Sequence, residues 1–361
     1  MGLAGLKLSG RRGLAPLPLA LLLGACALLG LGTALCVGPL ENFTPREVAR
    51  GLAALVSAAE PLAGNDQTVL GWRLLRALAA FLVGSMLALS GGLLQGLFGN
   101  PLASPGVLGV SAGASLGASL VLAAIGGFGA SVVGALAPSP AWITLGALAG
   151  ALAVLVPLFL VAGAGGRLSV PSLLLAGMAM NALCAGLLAA LQSLTLSHFE
   201  VARALFAWSF GTLEDRSLAQ VGLAASVLAV ALAGSAWIAR ELDLLASGED
   251  DAAALGVDVA GVKRTALFLA AGLAATAVAV AGQIGFVGLV VPHLVRLVTR
   301  RVEHRSLLPL SALAGGTLVL AADVLPRALR WSVDLRPGVL MSLVGAPFFF
   351  ALLYSLRRRT I

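Results

Sequence analysis

The sequence predicts an all-α polytopic membrane protein of about ten transmembrane helices, and three observations carry that prediction. Of its 361 residues 59% are hydrophobic and 11% charged, with a mean hydropathy of +1.02. A soluble domain could not hide so much apolar surface, because part of any globule faces water, whereas a bilayer is that surface's preferred solvent. Between Arg76 and Arg167 there is no Lys, Arg, Asp or Glu, and a water-facing surface that long without charge would aggregate. Apolar windows of bilayer length also recur along the whole chain, so residues 1–361 read as one transmembrane domain.

The first apolar run, Leu14 to Val37, is too long for a typical signal-peptide core and further spans follow it. Span 14–38 therefore reads as a retained helix, with Lys7, Arg11 and Arg12 as its cytoplasmic anchor. The remaining windows place spans at 70–98, 105–126, 141–163, 170–195, 218–239, 265–284, 286–298, 307–325 and 337–356. Span 286–298 is too short to cross unaided, and Gly282-Gln283-Ile284-Gly285-Phe286-Val287-Gly288 before it reads as a break between two helices. Such breaks are tolerated only where protein or a water-filled cavity covers the freed backbone groups.

Three stretches lie outside the spans. The outer loop 41–68 holds Pro45, Pro61 and Asn65-Asp66. Glu200 to Thr212 is amphipathic and aromatic (Phe206, Trp208, Phe210), which suits a helix on the outer interface. The inner segment 241–264 reads as two short helices separated by Gly256, with Ser247 as a cap and Glu249 to Asp251 favouring a helix N-terminus.

Charge tests the topology independently. With both termini inside, the inner segments carry 14 basic and 7 acidic residues, net +7, and the outer segments 9 of each. That is the positive-inside bias, so the basic balance reflects topology and not nucleic-acid binding. Cys26, Cys36 and Cys184 sit in apolar stretches without metal-type spacing, and His198, His293 and His304 are scattered. No HExxH occurs, and in Gly256 to Lys263 the Lys follows Val262, so the Gly-Lys-Ser/Thr of a phosphate loop is missing. The chain should bind no metal or ATP itself, and its power source lies elsewhere.

Several longer motifs then carry a resemblance. Arg73-Leu-Leu-Arg76, Gly84 to Gly96 with Gln95, and Asn100-Pro-Leu-Ala-Ser-Pro-Gly-Val-Leu-Gly-Val-Ser-Ala-Gly113 closely resemble the FecCD/BtuC-type permeases of binding-protein-dependent ABC importers. So do Gly285-Phe-Val-Gly-Leu-Val-Val-Pro-His293-Leu-Val-Arg296, His304-Arg305, Leu308-Pro309, Asp323 with Arg327, Gly338-Val-Leu and Gly345-Ala-Pro347-Phe. The match runs from about residue 70 to the C-terminus.

The resemblance implies a type II importer permease: a homodimer in the inner membrane, ten helices per copy, both termini cytoplasmic. Two ATP-binding cassette subunits would sit beneath, carrying ATP and Mg, and a periplasmic substrate-binding protein would dock outside. It implies docking by Arg73, Arg76 and Arg327, whose guanidinium groups can pair with a partner's carboxylates. It implies ATPase coupling by Gly248, Glu249, Asp250, Asp251, Ala252, Ala253, Leu255, Gly256 and Val257, where small residues permit close approach. It implies a cytoplasmic gate at Asn100 and Leu102, with a second element at Ser169, Val170 and Pro171, less polar than in the vitamin B12 members. Gly91, Gly92, Gly96, Gly109, Gly113 and Gly117 read as helix contacts and not substrate contacts, and His293 as a structural histidine at a helix start.

The substrate reading is haem, then ferric siderophore, then cobalamin, resting on overall similarity around Ile284 to Arg296. An ion-coupled secondary transporter would instead need ionisable residues near mid-membrane, which the charge-free central spans disfavour. An intramembrane enzyme would need a paired nucleophile and base or a ligand set, and three scattered histidines supply neither.

Overall fold

In hydrocarbon every backbone N–H and C=O must be paired within the protein, so apolar runs of bilayer length fold as helices. The computed structural model describes residues 14–38, 42–56, 62–125, 140–163, 170–196, 198–300, 303–329 and 335–357. In chain order its helices are α1 (Pro16–Cys36), α2 (Pro45–Val56), α3 (Asp66–Phe98), α4 (Val110–Ala123), α5 (Pro140–Gly163), α6 (Val170–Leu194), α7 (Phe199–Ser209), α8 (Leu218–Leu245), α9 (Glu249–Ala254), α10 (Val259–Ala281), α11 (Val287–Thr299), α12 (His304–Ala328) and α13 (Pro337–Arg357), with a 3-10 turn at Pro105–Leu108 ahead of α4. Seven of the described helices are long and apolar enough to cross a membrane; α4, α11 and Pro337–Ala351 of α13 are shorter apolar helices. These ten correspond one to one with the ten expected spans.

The differences lie at the ends of elements. The outer loop 41–68 holds helix α2, started by a capping box in which the Thr44 N–H donates to Glu47 Oε2 (2.7 Å) and the Glu47 N–H to Thr44 Oγ1 (3.3 Å). The Thr44 backbone N–H, and then its hydroxyl, hold the Glu47 carboxyl below the usual carboxylate range. Expected span 105–126 divides into the 3-10 turn and α4, with Gly109 in the left-handed region (φ 77) between them. Helix α8 runs through Glu241 to Leu245, so the inner segment begins inside a helix, and Gly248, not Ser247, occupies the N-cap of α9. Gly256 does separate α9 from α10, which Asp258 caps by accepting the Gly261 N–H at 3.0 Å. His293 and Pro292 fall inside α11 and not at a helix start, because the turn begins at Phe286.

The core sits around α3, α10 and α12, the most buried of the long helices, while α1 and α6 leave most of their side chains uncovered. By helical rise α3 is about 50 Å long, more than the roughly 30 Å hydrocarbon layer. It lies close against α12 and α11 because glycines face backbone: a Cβ on Gly84 would collide with the Gly315 carbonyl, and one on Gly91 with the Gly288 carbonyl. Helices α4 and α5 approach in the same way through Gly113 with Gly150 and Gly117 with Gly146. Hydroxyl and amide bonds add register: Ser90 Oγ to Ala270 O (2.7 Å) joins α3 to α10, and Gln220 Nε2 to Thr144 Oγ1 (2.9 Å) joins α8 to α5.

Gly91→Ala should therefore force α3 and α11 apart, costing about 1–3 kcal/mol as overpacking does. Gly24→Ala, whose Cβ meets nothing within 4 Å, should leave stability unchanged. Thermal denaturation of the two variants in one detergent makes the comparison.

Candidate functional site

Polar chemistry collects in three places along the bundle. At the end of the bundle that holds the α7–α8 turn, α3 supplies Arg76 and α12 supplies Asp323 and Arg327, one turn apart. Arg76 donates from Nε to both Asp323 oxygens (3.0 and 3.2 Å) and from Nη2 to Oδ1 (2.8 Å). Arg327 Nη2 bonds Asp323 Oδ2, and its Nε donates to the Asp323 carbonyl at 3.0 Å. The Asp323 side chain is completely covered, so a bidentate fork from Arg76 and a single charge-assisted bond from Arg327 converge on one buried carboxylate. Glu214, from the turn between α7 and α8, faces Arg76 Nη1 at 3.6 Å from an exposed position.

Arg73 is placed differently. It is buried, donates from Nη1 to the carbonyls of Leu35 (3.0 Å) and Cys36 (3.5 Å), and lies over the Phe43 ring at 4.6 Å. A cation there meets the exposed carbonyls and negative dipole end of α1. The structure thus joins two of the three sequence-predicted arginines and turns the third towards α1. Of the partners, Asp323 was visible as an i,i+4 companion of Arg327; Glu214 and Phe43 carry no local signal.

At the second of these places, α10 ends at Gly282 (φ 70) and α11 begins after Phe286, a non-glycine residue in the left-handed region (φ 65). The break lies beside a cavity of about 540 Å³. Its polar lining is Ser104, Ser111, Asn181, Ser209, Gln283 and Ser342, and apolar walls come from Leu87, Phe286 and Leu343. Among the described residues that line it none has an ionisable side chain, and His293 is not one of them. Asn181 Nδ2 donates to the Gly106 carbonyl at 2.8 Å, tying α6 to the 3-10 turn.

The opposite end of the bundle carries α9. Lys263 of α10 pairs with Glu249 at 2.6 Å, so this lysine clamps α9 instead of cradling phosphate. Ala252 is buried beneath α9, while Asp250, Asp251, Ala253, Leu255 and Gly256 are exposed and Val257 is half-buried. Leu255 is 69% exposed, a large apolar side chain presented to water on a clamped helix. Asn100 Oδ1 accepts the Leu102 N–H at 2.9 Å in the turn that ends α3. Val170 and Pro171 open α6, and Ser169 lies outside the described residues. Gln95 bridges this turn to α11 through Ala103 O (3.4 Å) and Leu289 O (3.1 Å) and accepts from buried Arg296. His304 meets Asp243 through both its ring Nδ1 (2.5 Å) and its backbone N–H (2.9 Å), fastening α12 to α8.

Comparison with known proteins gives a consistent set of relatives. The model of the FecCD transport family matches residues 21–355. The cobalamin import system permease protein BtuC of Halobacterium salinarum is 42% identical over 291 residues, 80% of this chain and 73% of that protein. The hemin transport system permease protein HmuU of Yersinia pestis is 40% identical over 291 residues, 80% of this chain and 83% of that protein. The Fe(3+) dicitrate transport system permease protein FecD of Escherichia coli K12 is 38% identical over 301 residues, 82% of this chain and 88% of that protein. A solved structure described as an inward-facing, metal-chelate type ABC transporter superposes with a TM-score of 0.76 at 28% identity, covering 94% of this chain and 99% of that one.

The placement of Arg73 makes its own prediction. Arg73→Ala removes two carbonyl contacts and a ring contact at the end of α1, a loss of about 2 kcal/mol. A lowered thermal midpoint is expected, and an unchanged one would show that α1 needs no such anchor.

Proposed function

We propose, from the premise that this chain belongs to the FecCD transport family and is the membrane permease of an ABC importer for haem, siderophore or cobalamin, that two copies carry an intact metal chelate by alternating access. The observation that supports this reading best is the neutral cavity beside the α10–α11 break. A site for bare metal ions would offer carboxylates, imidazoles or thiolates. Serine hydroxyls and two amides instead suit a ligand whose metal is already enclosed and whose periphery accepts weak hydrogen bonds. Haem is the first candidate, on the likeness around Ile284 to Arg296, followed by ferric siderophore and cobalamin.

Family members work as non-catalytic permeases with separate ATPase subunits and binding proteins. For this chain we assign the second copy to the face shared by α6 and α13. Both flank the cavity through Asn181 and Ser342, and both expose large apolar side chains, Leu175 and Leu183 on α6 and Leu343 and Phe350 on α13. Positive-inside charge supports cytoplasmic termini and puts α9 on the inner side. There Gly248 to Val257 would enter a groove on each of two ATPase subunits, which hold ATP and Mg. Asn100 and Leu102, with Ser169, Val170 and Pro171, would close the inner gate. At the outer end Arg76 and Arg327 would receive carboxylates of the periplasmic binding protein, with Arg73 holding the end of α1 against α3 beside them.

The test is reconstitution with the ATPase and binding protein in liposomes, following entry of haem, a ferric siderophore and cobalamin while ATP is hydrolysed. ATP-dependent haem entry is expected; entry of another chelate keeps the mechanism and discards haem, and no entry of any chelate rejects the importer. Leu255→Asp should assemble yet lose most transport-coupled hydrolysis, since a charge replaces the apolar contact on α9. Arg76→Glu with Arg327→Glu should abolish stimulation by the binding protein, with assembly of the complex checked by size-exclusion chromatography because Asp323 loses its buried partners.

A further inference from the structure

Among the described residues the ion pairs of Arg76 and Arg327 balance in charge. Arg76 and Arg327 face two carboxylates, Asp323 and Glu214, so an arriving acidic partner does not meet a surplus of positive charge in this group. The two carboxylates differ in kind. Asp323 is fully covered and takes a bidentate fork from Arg76 and further bonds from Arg327. Glu214 is about half exposed and reaches Arg76 at 3.6 Å, beyond the 2.7–2.9 Å of a direct charge-assisted bond.

The backbone beneath Glu214 is fixed. Its N–H donates to Thr212 Oγ1 (3.3 Å), its carbonyl accepts Arg216 Nε (2.7 Å), and Asp215 follows at φ 54. Arg216 in turn bonds the Val280 carbonyl at the end of α10, and the Thr212 N–H donates to Ala281 O at 2.8 Å. The Glu214 side chain can therefore swing into water without moving its turn.

We propose that Glu214 is a place-holder on the docking surface: it occupies the side of Arg76 that a protruding carboxylate of the substrate-binding protein takes on docking, while Asp323 holds Arg76 and Arg327 in the orientation that carboxylate meets. The proposal rests on the docking reading above. Exchange of one carboxylate for another keeps both guanidinium groups paired throughout, so docking leaves no partly buried charge uncompensated. It also makes the contact selective. The Arg76 and Arg327 side chains are only 21% and 13% exposed, so a flat acidic surface cannot reach them, whereas a projecting Asp or Glu can.

The experiment measures affinity of the chelate-loaded binding protein for the complete permease–ATPase complex in nanodiscs. Glu214→Gln removes the competitor and should tighten docking about 2- to 5-fold, the range of an exposed ion pair. Asp323→Asn should weaken docking by about 10-fold or more, since the arginines lose their common anchor. A merely structural Glu214 would give unchanged or weaker docking on substitution, and that result overturns the place-holder. If Asp323→Asn fails to fold, the sign of the Glu214→Gln effect still decides. The Arg76→Glu, Arg327→Glu variant runs alongside: loss of docking there with no gain from Glu214→Gln rejects this proposal alone, whereas intact docking rejects the docking reading itself.

Discussion

The absence of any hydrogen-bonding solvent in the bilayer core governs where this chain can be irregular. A helix satisfies its own backbone, but its ends and interruptions do not. Each interruption described within the bundle is accordingly covered by another part of it. The turn after α3 is held by Gln95 through Ala103 O and by Asn181 through Gly106 O. The end of α10 is met by the Thr212 N–H and by close backbone at Gly211 and Gly338. These covered interruptions border the cavity, so the chain leaves regular structure only where protein protects it.

Charged side chains follow a complementary rule. They are kept near the helix ends and spent on joining helices remote in sequence: α3 to α12 through Arg76 and Asp323, α8 to α12 through Asp243 and His304, α9 to α10 through Glu249 and Lys263. Helix α3 connects the two faces. It carries Arg76 at the outer end and Gln95 near the inner turn, about 28 Å apart by helical rise. Glycine contacts with α11 and α12 leave little slack around it. A tilt imposed at one end of such a rod must appear at the other, which gives the bundle a physical route between its two ends.

Much of this was legible in the sequence, and the rest was lost for identifiable reasons. Bilayer-length apolar runs fixed the ten membrane helices, and Gly282 to Phe286 announced the break because glycine-rich polar sequence interrupts two apolar windows. The α7 helix followed from aromatic amphipathicity. Helix α2 carries a readable capping box in Thr44-Pro-Arg-Glu47, with Pro45 as a first-turn residue, inside a stretch that reads as a loop because it is too short and polar to span. Arg73 and Arg76 look equivalent in sequence. Only the arrival of the α1 C-terminus beside Arg73 separates them, and a contact across 38 positions leaves no local trace. The same holds for Glu214, whose partner lies in a helix far upstream. The extension of α8 to Leu245 escaped notice because Glu241 and Asp243 mark the membrane boundary, and a helix need not stop where the bilayer does.

The neutrality of the cavity has a further consequence for specificity. A charged lining at mid-membrane would carry a large desolvation cost whenever the ligand was absent. Hydroxyl and amide groups avoid that cost and bind weakly, which also lets a ligand leave. Weak binding cannot by itself discriminate strongly among chelates of similar size, because discrimination is a difference between affinities. In the proposed mechanism selection would then occur before entry, at the binding protein. The proposed carboxylate exchange at Arg76 and Arg327 would enforce it by admitting only a partner of the right shape and charge, leaving the cavity free to be permissive.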